Sequence, residues 1–429
     1  MKLLFGFALL PLISAANDTI PPLVPNSIVS GLITFVTTNF LPVLGIPTVI
    51  DSNAYVPEDF TLTDTLIKQN GYGYELHKVV TEDGYVLSLH RILPPNGTDP
   101  GNRMPVLLQH GVLASSDSWL VGPNSGLAFL LVDYGYDVWL ADQRGNAYSK
   151  GHVRYSVKNS EYWNFTFHES GMFDLPAFID RVLNVTGKPQ LFYIGHSMGT
   201  TVLLTMASMR PEYNDKLKAA VLLAPVATTP TLSEIYQTVI RLLILYADAI
   251  KESYDRQHKY EFFPRSGELI KAIRRNCAPD ASMFDFCLDV LGMGYGENRA
   301  NLDRNTIGKS VSYLPSGTSL NTMAHLTQLY KTGFRLYNYG KLKNLEVYGS
   351  DMPPFYPLER VTTPIAIYYG DNDTLMNRRS AVELASMLPN LIINKVVADP
   401  KFTHMDFIFG INAKEVLYDD VANLLDSIR

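Results

Sequence analysis

Apolar residues in this chain fall into short unbroken runs. Val106-Leu107-Leu108, Leu191-Phe192-Tyr193-Ile194, Ala219 to Ala224, Ile365-Ala366-Ile367-Tyr368-Tyr369 and Ile392 to Val397 each read as a strand. Runs of this length suit strands covered on both faces by helices. Elsewhere the period changes. Val202, Leu203, Leu204, Met206 and Ala207 recur at helical spacing and predict a helix from Met198 to about Arg210. Between about Val226 and Asn344 the strand–helix alternation stops. That interval holds an apolar helical run from Ile235 to Ile250, a basic stretch at Lys271, Arg274 and Arg275, and helix-like pieces at Met283 to Leu291 and Leu320 to Tyr330. The expected class is α/β: a mostly parallel central sheet flanked by helices, with a mainly helical insertion after the sixth strand.

One strand–helix junction carries chemistry. The run ending at Ile194 leads into Gly195-His196-Ser197-Met198-Gly199 and then into the predicted helix. A serine with glycine two residues away on each side, at such a turn, is the nucleophile elbow of an α/β-hydrolase. The turn strains the serine backbone and leaves no room for bulky neighbours, which is why glycine stands at both flanks. The helix that follows points its N-terminal N–H groups at the serine, where an oxyanion would need them. An ordinary turn with an incidental serine is the alternative, and the flanking strand and helix patterns weigh against it.

On this fold the nucleophile is followed by an acid and then a histidine. Of nine histidines, only His258, His325 and His404 lie beyond the serine without adjoining it. His258 sits in the charged run Lys251 to Glu261, which reads as a solvated helix face or loop, and His325 in the helix-like segment Leu320 to Tyr330. His404 follows the Ile392–Val397 strand on a short polar loop and is the candidate base. The candidate acid lies in Gly370-Asp371-Asn372-Asp373-Thr374, after the strand ending at Tyr369. Asp373 reaches further past the turn and is preferred, while Asp371 is read as capping or bracing the loop. An oxyanion hole takes one N–H from the residue after the nucleophile, Met198, and one from the loop after the third strand, where His110-Gly111-Val112 nominates Val112. His110 itself is read as structural.

Beyond these residues, further motifs accumulate: Gly71-Tyr72 through Glu75, Thr81-Glu82-Asp83-Gly84-Tyr85, His110-Gly111-Val112-Leu113, Asp137-Val138-Trp139-Leu140 with Arg144-Gly145-Asn146, Trp163-Asn164-Phe165, Asp174-Leu175-Pro176-Ala177, Pro353-Pro354-Phe355-Tyr356, and His404-Met405-Asp406-Phe407-Ile408. With Gly195-His196-Ser197, they make the chain resemble the acid lipase family, the α/β-hydrolases that include lysosomal acid lipase, gastric lipase and many insect lipases. The resemblance runs from about Thr63 to the C-terminus. It implies Ser197, Asp373 and His404 as nucleophile, acid and base, with Val112 and Met198 as oxyanion donors. It also implies that the insertion is a cap. Two departures stand out. Many relatives carry Gln where this chain has Met198, and Ala141-Asp142 stands where Gly-Asn is common, a position read as lying behind the sheet edge without functional weight.

The chain has 429 residues, 18% charged, with net charge −6, so no basic surface suggests nucleic acid. Met1 to Ala16 reads as a signal peptide, with Lys2, an apolar run and a small-residue cleavage site. Asn17, Asn96, Asn164 and Asn184 head glycosylation sequons that fit this route. Asn372 also heads one, but a glycan beside the acid would block the site, so it is expected to be bare. The uncharged stretch Thr19 to Ile50 is broken by prolines at 21, 22, 25, 42 and 47, which argues against a membrane span. Residues 17–57 read as a propeptide or a surface-packed arm, with an interfacial segment as the alternative. Cys277 and Cys287 are the chain's two cysteines, and in an oxidising compartment they are expected to pair.

The expected organisation is a signal peptide at 1–16, an arm at 17–57, a hydrolase core at 58–226 and 345–429, and a cap at 227–344. Leu242 and Leu245 in the cap fit core packing or an acyl-facing lid about equally well. The expected function is a secreted or lysosomal lipase acting on neutral-lipid esters at a lipid–water interface, acylglycerols first and steryl esters second, with no metal or organic cofactor. A short-acyl esterase and a non-catalytic lipid-binding protein on the same fold are the alternatives.

Overall fold

The computed structural model describes residues 62–95, 100–122, 126–229, 260–310 and 313–429. The arm at 17–57, the Ile235–Ile250 run, His258, Asn17 and Asn96 lie outside them. Eight strands build the main sheet: β1 (Tyr72–Val80), β2 (Tyr85–Pro95), β3 (Pro105–Gln109), β4 (Asp137–Ala141), β5 (Leu191–His196), β6 (Leu217–Leu223), β7 (Ile365–Tyr369) and β8 (Leu391–Val396). Their order across the sheet is β1-β2-β4-β3-β5-β6-β7-β8, and the two-residue strand Gly151–His152 adds to β2. β1 and β2 form an antiparallel hairpin and β2 meets β4 antiparallel, whereas β4, β3 and β5 to β8 are parallel. This is the α/β-hydrolase architecture, and the parallel strands deliver their C-terminal ends to one end of the sheet.

The apolar runs become strands because each of their faces finds a core. Strands β3, β4, β5 and β7 are buried at every position. Alternate side chains point to opposite faces. Leu107, Trp139, Tyr193, Leu222 and Ile367 therefore enter one apolar cluster, and Val106, Leu108, Val138, Leu140, Ile194, Val221 and Tyr368 enter the other. β8, at the sheet edge, mixes exposed and half-buried positions. β4 lies inside the sheet between β2 and β3, so Asp142 at its C-terminal end is not behind an edge. It is fully buried at the top of the sheet.

Between β6 and β7 the chain leaves the sheet. The described part carries helices Gly267–Cys277, Phe284–Tyr295, Arg304–Ser310, Leu320–Thr332 and Lys341–Tyr348 and a two-stranded pair, Glu261–Phe262 with Thr318–Ser319. Glu261, read from sequence as the end of a solvated run, is instead buried in that pair. Its carboxylate meets the Lys150 ammonium at 2.8 Å, and this partner explains why a charge tolerates the site. A disulfide joins Cys277 to Cys287, linking two of the helices.

Two buried ionisable groups tie loops to this frame. Arg144, after β4, donates from Nε to Asp174 at 2.8 Å and from both Nη atoms to Asp83 at 2.6 and 2.9 Å, with its guanidinium 3.9 Å over the Tyr85 ring. One side chain thus joins the β1–β2 turn, the loop after β4 and the start of helix Leu175–Thr186. Asp406 lies in the turn after β8. There Thr403 N donates to Asp406 Oδ2 at 2.7 Å and Asp406 N donates to Thr403 Oγ1 at 3.3 Å, a reciprocal lock around His404. Burial pushes the Asp406 carboxyl up to about 6.

Arg144→Ala is expected to cost about 3–5 kcal/mol, because it strands buried carboxylate charge. Lys395→Ala, at the exposed Lys395–Asp420 pair, is expected to cost under about 1 kcal/mol. Denaturant midpoints at fixed pH compare the two. Asp406 has a folded pKa above its ordinary value, so the folded state holds the proton more tightly. This group therefore favours folding increasingly as pH falls from 7 through 6 toward 4. Measured against Asp406→Asn, the wild type should gain about 1–3 kcal/mol of unfolding free energy between pH 7 and pH 4.5.

Candidate active site

β5 ends at His196 and a helix begins at Met198, leaving Ser197 between them with φ 53° and ψ −122°. A non-glycine residue holds that conformation only where its surroundings impose it. Here the crowding is measurable. A Cβ on Gly195 would lie 2.8 Å from the Tyr193 ring and 2.9 Å from the Gly199 carbonyl carbon. One on Gly199 would meet the Gln109 carbonyl oxygen at 2.5 Å. Tyr193 OH donates to Gly199 O at 2.7 Å, and Ser197 N donates to Leu223 O at 3.0 Å, so the turn is tied to its own strand and to β6. The β3 loop closes in from the other side: a Cβ on Gly111 would stand 3.0 Å from Ser197 Cβ.

Two loops at the same end of the sheet bring the other side chains. Ser197 Oγ donates to His404 Nε2 at 2.8 Å, and His404 Nδ1 donates to Asp373 Oδ2 at 2.8 Å. All three residues are buried. The remaining oxygen of Asp373 accepts from Leu375 N at 2.8 Å and Met376 N at 2.9 Å, which orients the carboxylate. Asp371 points elsewhere, in a bidentate pair with Arg378 at 3.0 and 2.7 Å. His196 Nε2 donates to His404 O at 3.1 Å, and burial holds the His196 imidazole well below its usual range, so this brace stays neutral. A serine, an imidazole and a carboxylate in this order can move a proton off the hydroxyl and stabilise the cation that results.

The other predicted positions fall as follows. Val112 is half-buried on the loop after β3. Met198 is the first residue of its helix, where backbone N–H groups have no intrahelical acceptor. His325 is buried in helix Leu320–Thr332, bonded to Thr166 Oγ1 and Arg335 O, with burial lowering it to about 3. Asn164 and Asn184 are exposed. The Asn372 side-chain amide donates to Glu297 O at 2.9 Å and to Lys401 O at 3.3 Å, so its nitrogen is occupied in holding the acid loop. Among the described residues no group of three or more His, Cys, Asp or Glu could hold a metal ion, and no helix is long and apolar enough to cross a membrane.

Sequence reasoning missed the segment from Tyr295 to Leu302, which braces both loops. His404 N donates to Tyr295 O at 3.1 Å, Asn298 Nδ2 donates to Asp406 Oδ2 at 3.0 Å, and Ile411 N donates to Asn301 O at 2.8 Å. The Tyr295 ring lies nearly parallel to the His404 ring, with centroids 5.8 Å apart. The one signal in the sequence is Gly296. Its φ of 101° is a glycine conformation, and a Cβ there would strike the Asn372 carbonyl oxygen at 2.1 Å.

Comparison with known proteins follows the same line. Residues 104–411 match the family model described as alpha/beta hydrolase fold, and residues 63–123 match the partial alpha/beta-hydrolase lipase region. Lipase 1 of Drosophila melanogaster is 37% identical over 87% of this chain and 82% of its own. Gastric triacylglycerol lipase of Homo sapiens is 34% identical over 86% of this chain and 92% of its own. A solved structure from Sulfolobus solfataricus shares the fold, with a TM-score of 0.54 at 15% identity over 83% of this chain and 94% of that chain. With its architecture and these matches over most of its length, the chain belongs to the α/β-hydrolase lipases and is an ester hydrolase.

Proposed function

We propose that Ser197, His404 and Asp373 hydrolyse carboxylic esters of neutral lipids through an acyl-enzyme. The observation that carries this reading is the Ser197–His404–Asp373 relay, with both contacts at 2.8 Å on a strained elbow. His404 takes the hydroxyl proton as Ser197 Oγ attacks the ester carbonyl. The backbone N–H groups of Val112 and Met198 receive the tetrahedral oxyanion. His404 then protonates the leaving alcohol and activates the water that releases the fatty acid. Met198, in place of the Gln common in relatives, leaves the backbone donor intact.

Triacylglycerols are the favoured substrate class, supported by the likeness to gastric triacylglycerol lipases over 86% of the chain. The segment 227–344 serves as the cap, and a long acyl chain has methylenes to bury there, each worth roughly 0.8 kcal/mol. The signal-like N-terminus and the exposed sequons Asn164 and Asn184 favour the secretory route, ending outside the cell or in a lysosome.

A fluorophosphonate probe should label the wild type and fail to label Ser197→Ala. Turnover of a tri-, di- and cholesteryl-ester panel across pH then ranks the substrates, and hydrolysis of short soluble esters alone would exclude the lipase reading. Ser197→Ala and His404→Ala should each lose about four orders of magnitude or more in kcat, and the double variant little beyond that, because such residues act as one unit. Asp373→Asn should lose about 10³–10⁴-fold through the wrong imidazole tautomer. Asp371→Asn, which loosens only an exposed pair, should stay within about fivefold of wild type. The reverse ranking of the two aspartates would move the acid.

A further inference from the structure

The loop after β3 has its own buried polar network, and one histidine in it does nothing in the relay. His110, 3% exposed, packs at the top of β3 beside the elbow. Two donors face its Nε2: Gln143 N at 3.3 Å and Asn146 Nδ2 at 3.1 Å. A nitrogen that accepts is bare, so the ring proton sits on Nδ1, which donates to Gly111 O at 2.8 Å. Burial holds the imidazole below its usual range, which keeps it neutral. Ala114 N also donates to Gly111 O, at 3.3 Å, so this carbonyl is held by two bonds.

The carbonyl in question belongs to the Gly111–Val112 peptide. In a trans peptide C=O and N–H point in opposite directions, so fixing the Gly111 oxygen on the His110 side turns the Val112 N–H away from that ring. Leu113 next in line has φ 58°, a conformation a leucine does not choose, and Ser316 N from the β6–β7 insertion donates to its carbonyl at 2.7 Å. The loop is therefore imposed from several sides.

Asp142, which replaces the Asn common in relatives, anchors the network behind it. Its carboxylate accepts from His90 Nε2 at 2.9 Å, Ser116 N at 2.9 Å, Ser116 Oγ at 2.8 Å and Asn146 Nδ2 at 2.6 Å. Burial works against the charge, but the His90 hydrogen bond and its companions bring the carboxyl down to about 2. Asn146 is thereby held with its amide N–H groups on Asp142 and on His110 Nε2 at once, which fixes its donor side toward the ring.

We propose that His110 is a positioning residue: its Nδ1–H, locked by Gln143, Asn146 and Asp142, aims the Val112 N–H into the oxyanion hole. This rests on the reading of Val112 as an oxyanion donor. The test separates the two ends of the ring. In His110→Asn the amide nitrogen can take the place of Nδ1 and still donate to Gly111 O. In His110→Gln the amide reaches the Nε2 end, keeping Gln143 and Asn146 satisfied while losing the bond to Gly111. Activity is expressed per site titrated by a fluorophosphonate, which removes misfolded protein from the comparison. His110→Gln should lose about 10–100-fold in kcat on a short soluble ester, below the 10²–10³ of deleting a donor outright, with KM within about threefold. His110→Asn should lose less than about fivefold, and the inhibition constant of a trifluoromethyl ketone should rise in step with the loss of kcat/KM. Equal losses in the two variants, the reverse ranking, or a change confined to KM would overturn the proposal. A second measurement needs no variant: ¹⁵N shifts of the histidine rings in the wild type should give His110 as the Nδ1–H tautomer, and an Nε2–H tautomer would overturn it. Failure of the wild type to be labelled at Ser197 would instead sink the hydrolase mechanism itself.

Discussion

The structure around Ser197 depends on one constraint: backbone must approach backbone without side chains between. Gly195, Gly199 and Gly111 each stand where a Cβ would come within about 3 Å of another residue. Their absence of side chains lets β3, β5 and the elbow helix converge on a single hydroxyl. The serine's left-handed backbone follows from that convergence, held by the bond from its own N–H to β6 and by the helix that starts one residue later. Everything else at the site is brought to this fixed point.

The loops that arrive there are held by charge and hydrogen bonding as well as by apolar packing. Arg144 gathers Asp83 and Asp174, Asp142 gathers four donors, and Asp117 accepts from Thr63, Tyr148 and Ser115 while lying 3.0 Å from the Arg265 guanidinium. Buried ions of this kind contribute less net stability than an apolar core of the same volume, but their geometry is exacting and breaking one partner is costly. Arg265 belongs to the β6–β7 insertion, and it also donates to Ser115 and to Tyr313 O. The insertion thus contacts the loop after β3 as well as the loop that carries His404.

Much of this was legible in the sequence because the strands are buried on both faces. Ile365 to Tyr369 is a strand residue for residue, and the predicted helix from Met198 ends within one residue of the observed Met209. The order serine, acid, histidine led to residues that the fold brings within hydrogen-bonding distance, and Asp371 is occupied by Arg378 as a brace would be. What was not legible has a common cause. Asp142 looked unimportant because strand order cannot be read from a linear chain, and β4 turns out to lie inside the sheet. Glu261 looked solvated because its partner, Lys150, is more than a hundred residues away. Half of the bracing by Tyr295 to Leu302 runs through the carbonyls of Tyr295, Glu297 and Asn301, which every residue possesses, so little beyond Gly296 announces it.

That seam constrains how such a protein can be recombined. The carbonyls of Tyr295, Glu297 and Asn301 are fitted to His404, Asn372 and Ile411. Cutting the chain at the sheet ends of the insertion, the obvious places for a graft, would separate these acceptors from the loops that use them. A chimera between two relatives would keep its base loop in register only if residues 295–302 travelled with the C-terminal parent. The functional boundary between the two modules therefore lies inside the insertion, well before the point where the chain returns to the sheet.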